Sequence, residues 1–300
     1  MKKFITKIFI FLAITIASLI LVTLINRIII IYFNPFDIDE KRNILILGDS
    51  HTKFAFNDKI LKQTYNISNN ADSYFYSYVK LKEIIKDNPH IDTVLISFST
   101  HNIQKSIENK WLLNDNHLES RLKYYFPLLD FEDIFFIINK KPVKVFIGAF
   151  SQIHLPISLT YKGIEVFGGY KNLQHNILAE ELEKVKTRTE EESNSLKQAN
   201  IEKKYLRNII DYCKDNSVEP ILVNTPLHKS IKQEQNKLYQ FYNKYFDDVL
   251  FYDFNEIEMK DEFFGDLVHL NPQGATYFSE LVKNKNLINP DSARIYKILY

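Results

Sequence analysis

The N-terminal segment carries a continuous apolar run. Residues Ile8 to Asn26 contain no charged side chain, and the apolar pattern resumes one residue later as IIIIYF. About 20 apolar residues are enough to cross the hydrocarbon core of a bilayer as a helix. We therefore predict one transmembrane helix within residues 1–33. Lys2, Lys3 and Lys7 precede the run, which favours a cytoplasmic N-terminus and an extracytoplasmic position for the rest of the chain.

A cleaved signal peptide is the alternative interpretation of this segment. The apolar region of a signal peptide is about 7–15 residues long and is followed by a small-x-small cleavage site. The run in this chain is longer, and no such site follows it. We therefore favour an uncleaved single-pass anchor in the cell membrane, and a secreted soluble protein is the alternative.

The remainder of the chain alternates short apolar runs with helical patterns. Asn43–Leu47 reads NILIL and Thr93–Phe98 reads TVLISF, the pattern of strands that are buried on both faces. Such alternation favours right-handed crossovers, so we predict an α/β domain with a parallel sheet covered by helices on both faces. The predicted strands are residues 43–47, 64–67, 93–98, 220–224 and 249–254, and the predicted helices are residues 73–87, 201–214 and 275–282.

This domain is predicted to occupy residues 34–300, with an insertion at about residues 103–195, where the alternation stops. The insertion is rich in aromatic residues between Trp111 and Phe150, and its segment FEDIFFIIN is predicted to be helical. Residues 186–195 are polar throughout and are predicted to form a solvated helix end or loop. Because segments added to a fixed scaffold usually carry specificity, we expect the insertion to form substrate-specific walls.

Composition narrows the class of protein. Hydrophobic residues make up 45% of the 300 residues, which excludes a wholly disordered chain. A formal charge of +1 argues against nucleic acid as the main partner. Cys213 is the one cysteine, so an intramolecular disulfide framework and a multi-cysteine metal site are excluded. The chain has only 7 glycines, so few places are expected where the backbone turns unusually or approaches a ligand closely.

The first predicted strand leads directly into a serine. Gly48, Asp49 and Ser50 follow NILIL, and ligands of parallel α/β sheets bind beyond the carboxyl ends of the strands. A glycine before the serine permits a tight turn, and backbone N–H groups at a helix N-terminus can hold an oxyanion. Helix capping by Asp49 or Ser50 is the alternative interpretation.

A second candidate segment precedes the last predicted helix. Asp266 and His269 stand three residues apart, and Pro272 follows at the first turn of that helix. A serine nucleophile needs a base, usually histidine, and that histidine needs a carboxylate on its other nitrogen. An ordinary loop with a surface histidine is the alternative interpretation.

Together, Gly48-Asp49-Ser50 and Asp266-x-x-His269 resemble the SGNH/GDSL hydrolase superfamily over about residues 43–282, with the insertion uncovered. The resemblance implies a flavodoxin-like three-layer α/β/α fold, here preceded by the N-terminal transmembrane helix. It also implies that Ser50 is the nucleophile, His269 the base and Asp266 the residue that orients the base. Neither a metal nor a cofactor is predicted.

The resemblance also implies an oxyanion hole. The family's GxND block falls on Ser99-Thr100-His101-Asn102, in which the asparagine is retained, so Asn102 is predicted to donate its side-chain amide. The block that normally supplies a glycine N–H falls on residues 66–72, which contain no glycine. A backbone donor requires no particular side chain, so Ala71 or Ser68 is predicted to take this place.

Other histidines are expected near the same cleft. His51 adjoins Ser50, and His101 adjoins Asn102. Neither has the spacing of a metal pair, so a structural or substrate-contact role is favoured over ligation for these two. His228 follows the fourth predicted strand and is a further candidate to face the cleft. No role is predicted for His154 or His175.

The predicted function is that of a serine-dependent esterase or O-acyltransferase. By analogy with the family, its substrate is an acylated cell-envelope glycan or lipid, and the expected partners are an ester-bearing substrate such as a polysaccharide, and the membrane. A catalytically weak or inactive scaffold of an envelope complex is the alternative. The distance between Ser50 Oγ and His269 Nε2 distinguishes the enzyme from the scaffold. A catalytic pair should bring these two atoms within about 3.5 Å of each other.

Overall fold

The computed structural model describes residues 1–186 and 198–288, without the side chains of residues 232–235. The chain forms two compact units. The helical unit consists of Met1–Asp37 and Lys110–Val166, and the sheet unit consists of Ile38–Asn109 and Phe167–Tyr300.

The sheet unit is built on five parallel strands within the described residues. Their order, β2-β1-β3-β4-β5, is the flavodoxin-like order 2-1-3-4-5. The predicted α/β class and parallel sheet are confirmed. The strands are β1 (Ile44–Leu47), β2 (Thr64–Asn66), β3 (Thr93–Ser97), β4 (Glu219–Asn224) and β5 (Leu250–Asp253). The helices of this unit are α2 (Ser50–Ala55), α3 (Tyr74–Asp87), α4 (Lys105–Trp111), α9 (Leu178–Lys186), α10 (Asn200–Asp215), α11 (Gln235–Tyr245) and α12 (Pro272–Asn284).

The centre of the sheet is apolar on both faces, as the uninterrupted sequence NILIL predicts. All four residues of β1 are buried, and so are all five residues of β3 beside it. On one face, Ile46 and Val223 of the sheet belong to one apolar cluster with two phenylalanines. Phe56 directly follows α2, and Phe278 belongs to α12. Burying such side chains stabilises the fold by about 1.5–3 kcal/mol each. The carboxyl end of β1, which carries the candidate serine, is therefore held at a fixed place.

Two buried charged side chains tie loops of the sheet unit together. The Lys80 ammonium is fully buried, lies 2.8 Å from Asp72 Oδ2, and donates to the carbonyl oxygens of Ile67 (2.8 Å) and Phe167 (3.1 Å). The Glu108 carboxylate, also fully buried, accepts from two backbone N–H groups at the start of α10. Both groups are paired, which a buried charge requires.

Glu202 is a buried carboxyl group whose environment disfavours its charge. Burial raises its pKa to about 8, and the charges of Glu108, Asp72 and Asp49 add to this, although Tyr74 N–H donates to Glu202 Oε2 at 2.8 Å. Its Oε1 atom is buried without a hydrogen-bond partner in the described structure. Glu202 is therefore protonated in the folded state at neutral pH.

We expect Glu202→Gln to remove a pH-dependent loss of stability. The folded state keeps this proton at pH values where the unfolded chain has released it, so stability falls as pH rises from about 4.5 to about 8. Thermal melts in detergent should show the variant more stable than wild type by at least about 1 kcal/mol at pH 8.5, with little difference at pH 5. The exposed Glu219→Gln is the control. Equal curves for wild type and Glu202→Gln across this range would contradict the assignment.

The helical unit contains the predicted membrane segment. Helix α1 (Lys2–Phe33) has 32 residues and a mean hydropathy of 3.0 over its most apolar window, so it is long and apolar enough to cross a membrane. At 1.5 Å per residue it is about 48 Å long, more than the run Ile8–Asn26 predicts, because the apolar residues after Arg27 continue the helix. The other helices of this unit are α5 (Asp115–Tyr125), α6 (Phe131–Lys140), α7 (Pro142–Ser151) and α8 (Leu155–Lys162).

A buried polar contact joins α1 to the inserted helices. Asn26 Nδ2 donates to the carbonyl oxygen (2.9 Å) and to Oε1 (3.2 Å) of Gln152, and both side chains are buried. Gln152 Nε2 donates in turn to Thr23 Oγ1 (2.8 Å). In an otherwise apolar segment, such pairs fix the register of neighbouring helices.

The predicted elements and the observed ones differ mainly in the segments between strands. The predicted strands agree with the observed strands to within one or two residues at each end, and FEDIFFIIN is helical as predicted. The helices α4, α5, α7, α8, α9 and α11 are not among the predicted elements. Of the polar segment 186–195, only Lys186 lies within the described residues, where it ends α9.

Candidate active site

The serine of the first motif stands at a tight turn between β1 and α2. Gly48 has a φ of +151°, and a Cβ atom on it would lie 2.2 Å from Ser97 Cβ, so no other residue fits this turn without displacement. Asp49 is the residue that caps α2, because its Oδ1 accepts from His51 N–H at 2.8 Å. Ser50 is the first residue of the helix, and its hydroxyl is free to serve another partner.

That partner is His269. Ser50 Oγ lies 2.8 Å from His269 Nε2, and His269 Nδ1 lies 2.8 Å from Asp266 Oδ2. The other carboxylate oxygen, Oδ1, accepts from the backbone N–H groups of Val268 (2.9 Å) and His269 (2.7 Å). The three-residue spacing thus folds the loop around its own aspartate. With Nδ1–H donating to the carboxylate, Nε2 is left to accept the serine proton.

The Asp266 carboxylate is kept ionised by its neighbours. Burial raises its pKa, but hydrogen bonds from His269 and His175 and the charge of His269 outweigh burial, and the pKa lies well below its usual range. The carboxylate is therefore negative throughout the neutral range. A negative charge at this place can orient the neighbouring imidazole ring and stabilise a positive charge on it.

His175 is the site residue that the sequence analysis missed. Its Nε2 lies 2.8 Å from Asp266 Oδ2, the oxygen that His269 Nδ1 also contacts, and about half of its side chain is exposed. It belongs to the segment before α9 and is 91 residues from Asp266 in sequence, so no local spacing signals the contact. Two histidines therefore share one carboxylate oxygen.

We expect His175→Phe to change the rate of ester hydrolysis only modestly. His175 shares Asp266 Oδ2 with His269, so removing it leaves this oxygen to His269 alone. A partly exposed pair is worth about 0.2–1 kcal/mol, so kcat/KM for an ester should rise by up to about fivefold. The exposed His154→Phe is the control. An unchanged kcat/KM would show that His175 does not act on the contact between Asp266 and His269.

A second network surrounds Asp49. This side chain is fully buried, and its Oδ2 lies 2.7 Å from both His101 Nε2 and Asn102 Nδ2. Burial raises the pKa of Asp49, but the charges of His101 and His51 and the hydrogen bonds of His101 and Asn102 reverse this, and the pKa lies well below its usual range. Ser99 completes the network by donating its N–H to Asn102 Oδ1 (3.0 Å). Asn102 is therefore held on both ends of its amide, and the second proton of its Nδ2 remains to serve an oxyanion.

The other two predicted oxyanion donors differ in availability. Ser68 N–H donates to Asn66 Oδ1 at 3.0 Å, and its buried hydroxyl accepts from Thr52 Oγ1 at 2.8 Å. Ala71 has a φ of +49°, a conformation that glycine adopts most easily. No acceptor for Ala71 N–H is found within residues 1–186 and 198–288. Of the two, Ala71 is thus the residue whose N–H is available to a ligand, and its backbone conformation is one that glycine adopts most easily.

His51 lies between the two networks. Its ring stacks on His101 at 4.1 Å between centroids and meets His269 edge-on at 5.1 Å. Burial lowers its pKa well below the usual range, and the charge of His101 adds to this, so its ring is neutral. It therefore separates His269 from His101 as an uncharged, buried spacer.

His228 contacts the loop that carries Asp266 and His269, and no contact with Ser50 is found among the described residues. Its backbone N–H donates to Leu267 O at 3.0 Å, its ring packs edge-on against Phe264, and its Nδ1 lies 2.8 Å from Ser230 Oγ.

Three serines in the described structure contact histidines that also lie near an aspartate. Ser99 is buried, so a substrate does not reach it, and its histidine is His101 on Asp49. Ser230 contacts His228 Nδ1. His228 Nε2 lies 3.3 Å from Asp261 Oδ1 but makes no hydrogen bond in the described structure. Ser50 and Ser230 are partly exposed, but of the three serines only Ser50 follows a sheet strand directly and begins a helix, where a nucleophile is expected.

Two groups of side chains bring three potential metal ligands together. They are Asp49, His51 and His101, and His175, Asp266 and His269, with ligand atoms within 4.8 Å of one another in each group. In both groups the carboxylate contacts histidine nitrogens at 2.7–2.8 Å. These are hydrogen-bond distances, with a proton between the two atoms.

Comparisons with known proteins give structural likenesses at low identity. No family model matches the sequence, and no curated protein matches it. A candidate acylhydrolase of Bacteroides fragilis is 11% identical over 83% of this chain and 87% of its own, with a TM-score of 0.37. A GDSL-like lipase of Bacteroides thetaiotaomicron is 9% identical over 82% and 87%, with a TM-score of 0.36. A candidate platelet activating factor of Streptococcus pneumonia is 12% identical over 93% and 98%, with a TM-score of 0.38.

The topology of the chain itself decides its fold. The strand order of the sheet, its parallel pairing and the turn from β1 into α2 are those that the resemblance of the two motifs implies. The chain therefore has a flavodoxin-like α/β fold with a five-stranded parallel sheet among the described residues.

Proposed function

We propose that this protein is a serine-dependent ester hydrolase. The observation that carries the proposal is the continuous contact from Ser50 Oγ through His269 to Asp266 Oδ2, with both hydrogen bonds at 2.8 Å. A nucleophile, a base and an orienting carboxylate in this geometry are the parts that acyl transfer needs. Fold alone would not support an activity, because one fold serves many functions.

The proposed reaction has two halves. His269 Nε2 takes the proton of Ser50 as Oγ attacks the ester carbonyl, and the oxyanion receives hydrogen bonds from Asn102 Nδ2 and Ala71 N–H. The alkoxide then leaves with the proton from His269, and an acyl-enzyme ester remains on Ser50. A water molecule, activated by His269 in the same way, attacks this ester and releases the acid and the free serine.

The acceptor of the second half distinguishes hydrolase from transferase. A sugar or lipid hydroxyl in place of water would accept the acyl group, and the protein would then be an O-acyltransferase. With α1 as the membrane anchor, we infer a site on the extracytoplasmic side and an acylated envelope glycan or lipid as substrate. The length and hydropathy of α1 support the anchor, and the three lysines before its apolar run support the orientation.

A fluorophosphonate tests the proposal directly. Ser50 Oγ should displace fluoride from phosphorus and gain a stable phosphonate ester, which mass spectrometry of the purified full chain would map to the peptide that contains Ser50. Ser50→Ala should not be labelled. Ser230→Ala is the matched control, because Ser230 also contacts a histidine, and it should label like wild type. Wild type that does not label would favour a non-catalytic scaffold.

A further inference from the structure

The large apolar side chains exposed at the surface are concentrated in one segment. Beyond residues 1–33, eleven such side chains are exposed in the described part of the chain, and all but Tyr277 lie between residues 131 and 161. Soluble surfaces carry exposed apolar residues singly, whereas a contiguous set marks a contact with a partner or a membrane. The ten residues, which we call the apolar face, are Phe131, Phe135, Ile138, Val143, Phe146, Ile147, Phe150, Ile153, Ile157 and Tyr161.

Helix α7 places its large residues outward and its small residues inward. Gly148 and Ala149 are buried, and a Cβ atom on Gly148 would lie 2.6 Å from Leu122 Cβ of α5. Phe146 and Phe150, one helical turn apart, are each 58% exposed. Water drives the opposite arrangement, with large apolar residues inside. The side chains of α7 are thus distributed as in a helix whose surroundings are apolar and whose interface is closely packed.

Helices α6 and α8 repeat this pattern. Phe131, Phe135 and Ile138 follow the spacing i, i+4, i+7 along one exposed side of α6. Ile157 and Tyr161 follow the spacing i, i+4 along an exposed side of α8. The apolar face therefore extends over three successive helices rather than marking one local defect of packing.

We propose that the apolar face is immersed in the lipid of the bilayer that α1 crosses. The supporting observation is continuity, because the 3₁₀ turn between α7 and α8 packs against α1 and is fixed to it by the buried contact between Asn26 and Gln152. The exposed apolar side chains of α1 and the apolar face thus belong to one compact unit. Lysines at the ends of α6 and α8, Lys140 and Lys162, have the reach to place their ammonium groups among lipid headgroups.

The helices of the apolar face lie in the lipid without crossing it. The segment Pro142–Val166 is apolar enough to be a candidate span, with a mean hydropathy of 1.2. However, a 3₁₀ turn at Gln152–His154 interrupts this segment. A third of its apolar window is buried, whereas none of the window of α1 is. A helix that is buried on one side and apolar on its exposed side fits an interfacial attachment beside the anchor.

Fluorescence quenching in proteoliposomes tests the proposal. The full chain carries a single cysteine introduced as Phe146→Cys or Ile157→Cys, labelled with NBD and reconstituted in phosphatidylcholine and phosphatidylglycerol. Native Cys213 is fully buried, and burial raises the pKa of its thiol, so we expect it to react little with NBD. The wild-type chain, treated in the same way, measures this background labelling. The matched control is Ser120→Cys, on an exposed position of the same unit. Far-UV circular dichroism verifies that each variant is folded.

The two quenchers separate the three possible surroundings of the label. We expect doxyl-labelled lipid to quench NBD at residues 146 and 157 at least threefold more than at residue 120, and aqueous iodide to show the reverse order. Quenching by iodide equal to that at residue 120 would place the apolar face in water and overturn the proposal. Protection from both quenchers would also overturn it, because the face would then be covered by protein, such as a second copy of this chain.

Discussion

Replacing Ser50 by alanine lowers kcat/KM for p-nitrophenyl acetate by at least about 10³-fold if the proposed mechanism operates. The variant retains its oxyanion donors but has no atom to attack the carbonyl, so covalent catalysis is lost completely. The 2.8 Å contact to His269 is lost with it, yet the fold is unaffected because Asp49, not Ser50, caps α2. Steady-state hydrolysis by the detergent-solubilised full chain measures the effect.

The same measurement on His269 shows whether the two residues act as a unit. His269→Ala should cost as much as Ser50→Ala, and the double variant should be no slower than either, because removing one member disables the same step. Ser230→Ala provides the comparison with a serine that contacts a histidine elsewhere in the sheet unit. Turnover that is unchanged in Ser50→Ala would remove this serine from the mechanism.

Replacing Gly48 by alanine is expected to give the largest loss of stability. The new Cβ would lie 2.2 Å from Ser97 Cβ and 2.7 Å from Thr52 Oγ1, and the φ of +151° is one that alanine rarely adopts. Steric overlap in a packed core and backbone strain each cost about 1–3 kcal/mol, so the free energy of unfolding should fall by about 3 kcal/mol or more. Because β1 and Ser50 flank the glycine, the folded fraction should also lose activity.

Gly169 separates the two contributions. Its φ of +137° is similar, but an added Cβ would find one atom within 4 Å, Asn66 O at 3.9 Å. Gly169→Ala should therefore cost the backbone strain alone, about 1–3 kcal/mol. Chemical denaturation of both variants measures the difference, and equal losses would show that the contact with Ser97 relaxes freely.

The sheet and the serine–histidine contact are accessible from sequence because their signals are local. An uninterrupted apolar run such as NILIL specifies a central strand, and the sequence GDS at its end places Ser50 at the edge where ligands bind. The spacing of Asp266 and His269 lets one loop close on itself, so their contact follows from four consecutive residues. The predicted fold is confirmed, whereas the catalytic roles stay predictions until the variants above are measured.

The features that the sequence did not reveal depend on contacts between distant segments or on apolar side chains that are exposed rather than buried. His175 reaches Asp266 across 91 residues, and His101 reaches Asp49 across 52. That Ser68 N–H is occupied by Asn66 is likewise a property of the folded loop. Helix α7 escaped prediction because its large residues face outward, so its apolar pattern does not indicate a side packed on a protein core.

The buried charges Lys80 and Glu108 hold the two ends of the segment that the sheet unit does not contain. Glu108 is held against α10 just before the helical unit's second segment begins, and the carbonyl of Phe167 is held by Lys80 just after that segment ends. Both junctions are thus fastened within the sheet unit, whatever lies between them. We therefore expect homologous chains to vary most in length between residues 110 and 166 while they keep a paired acid and lysine at the two junctions.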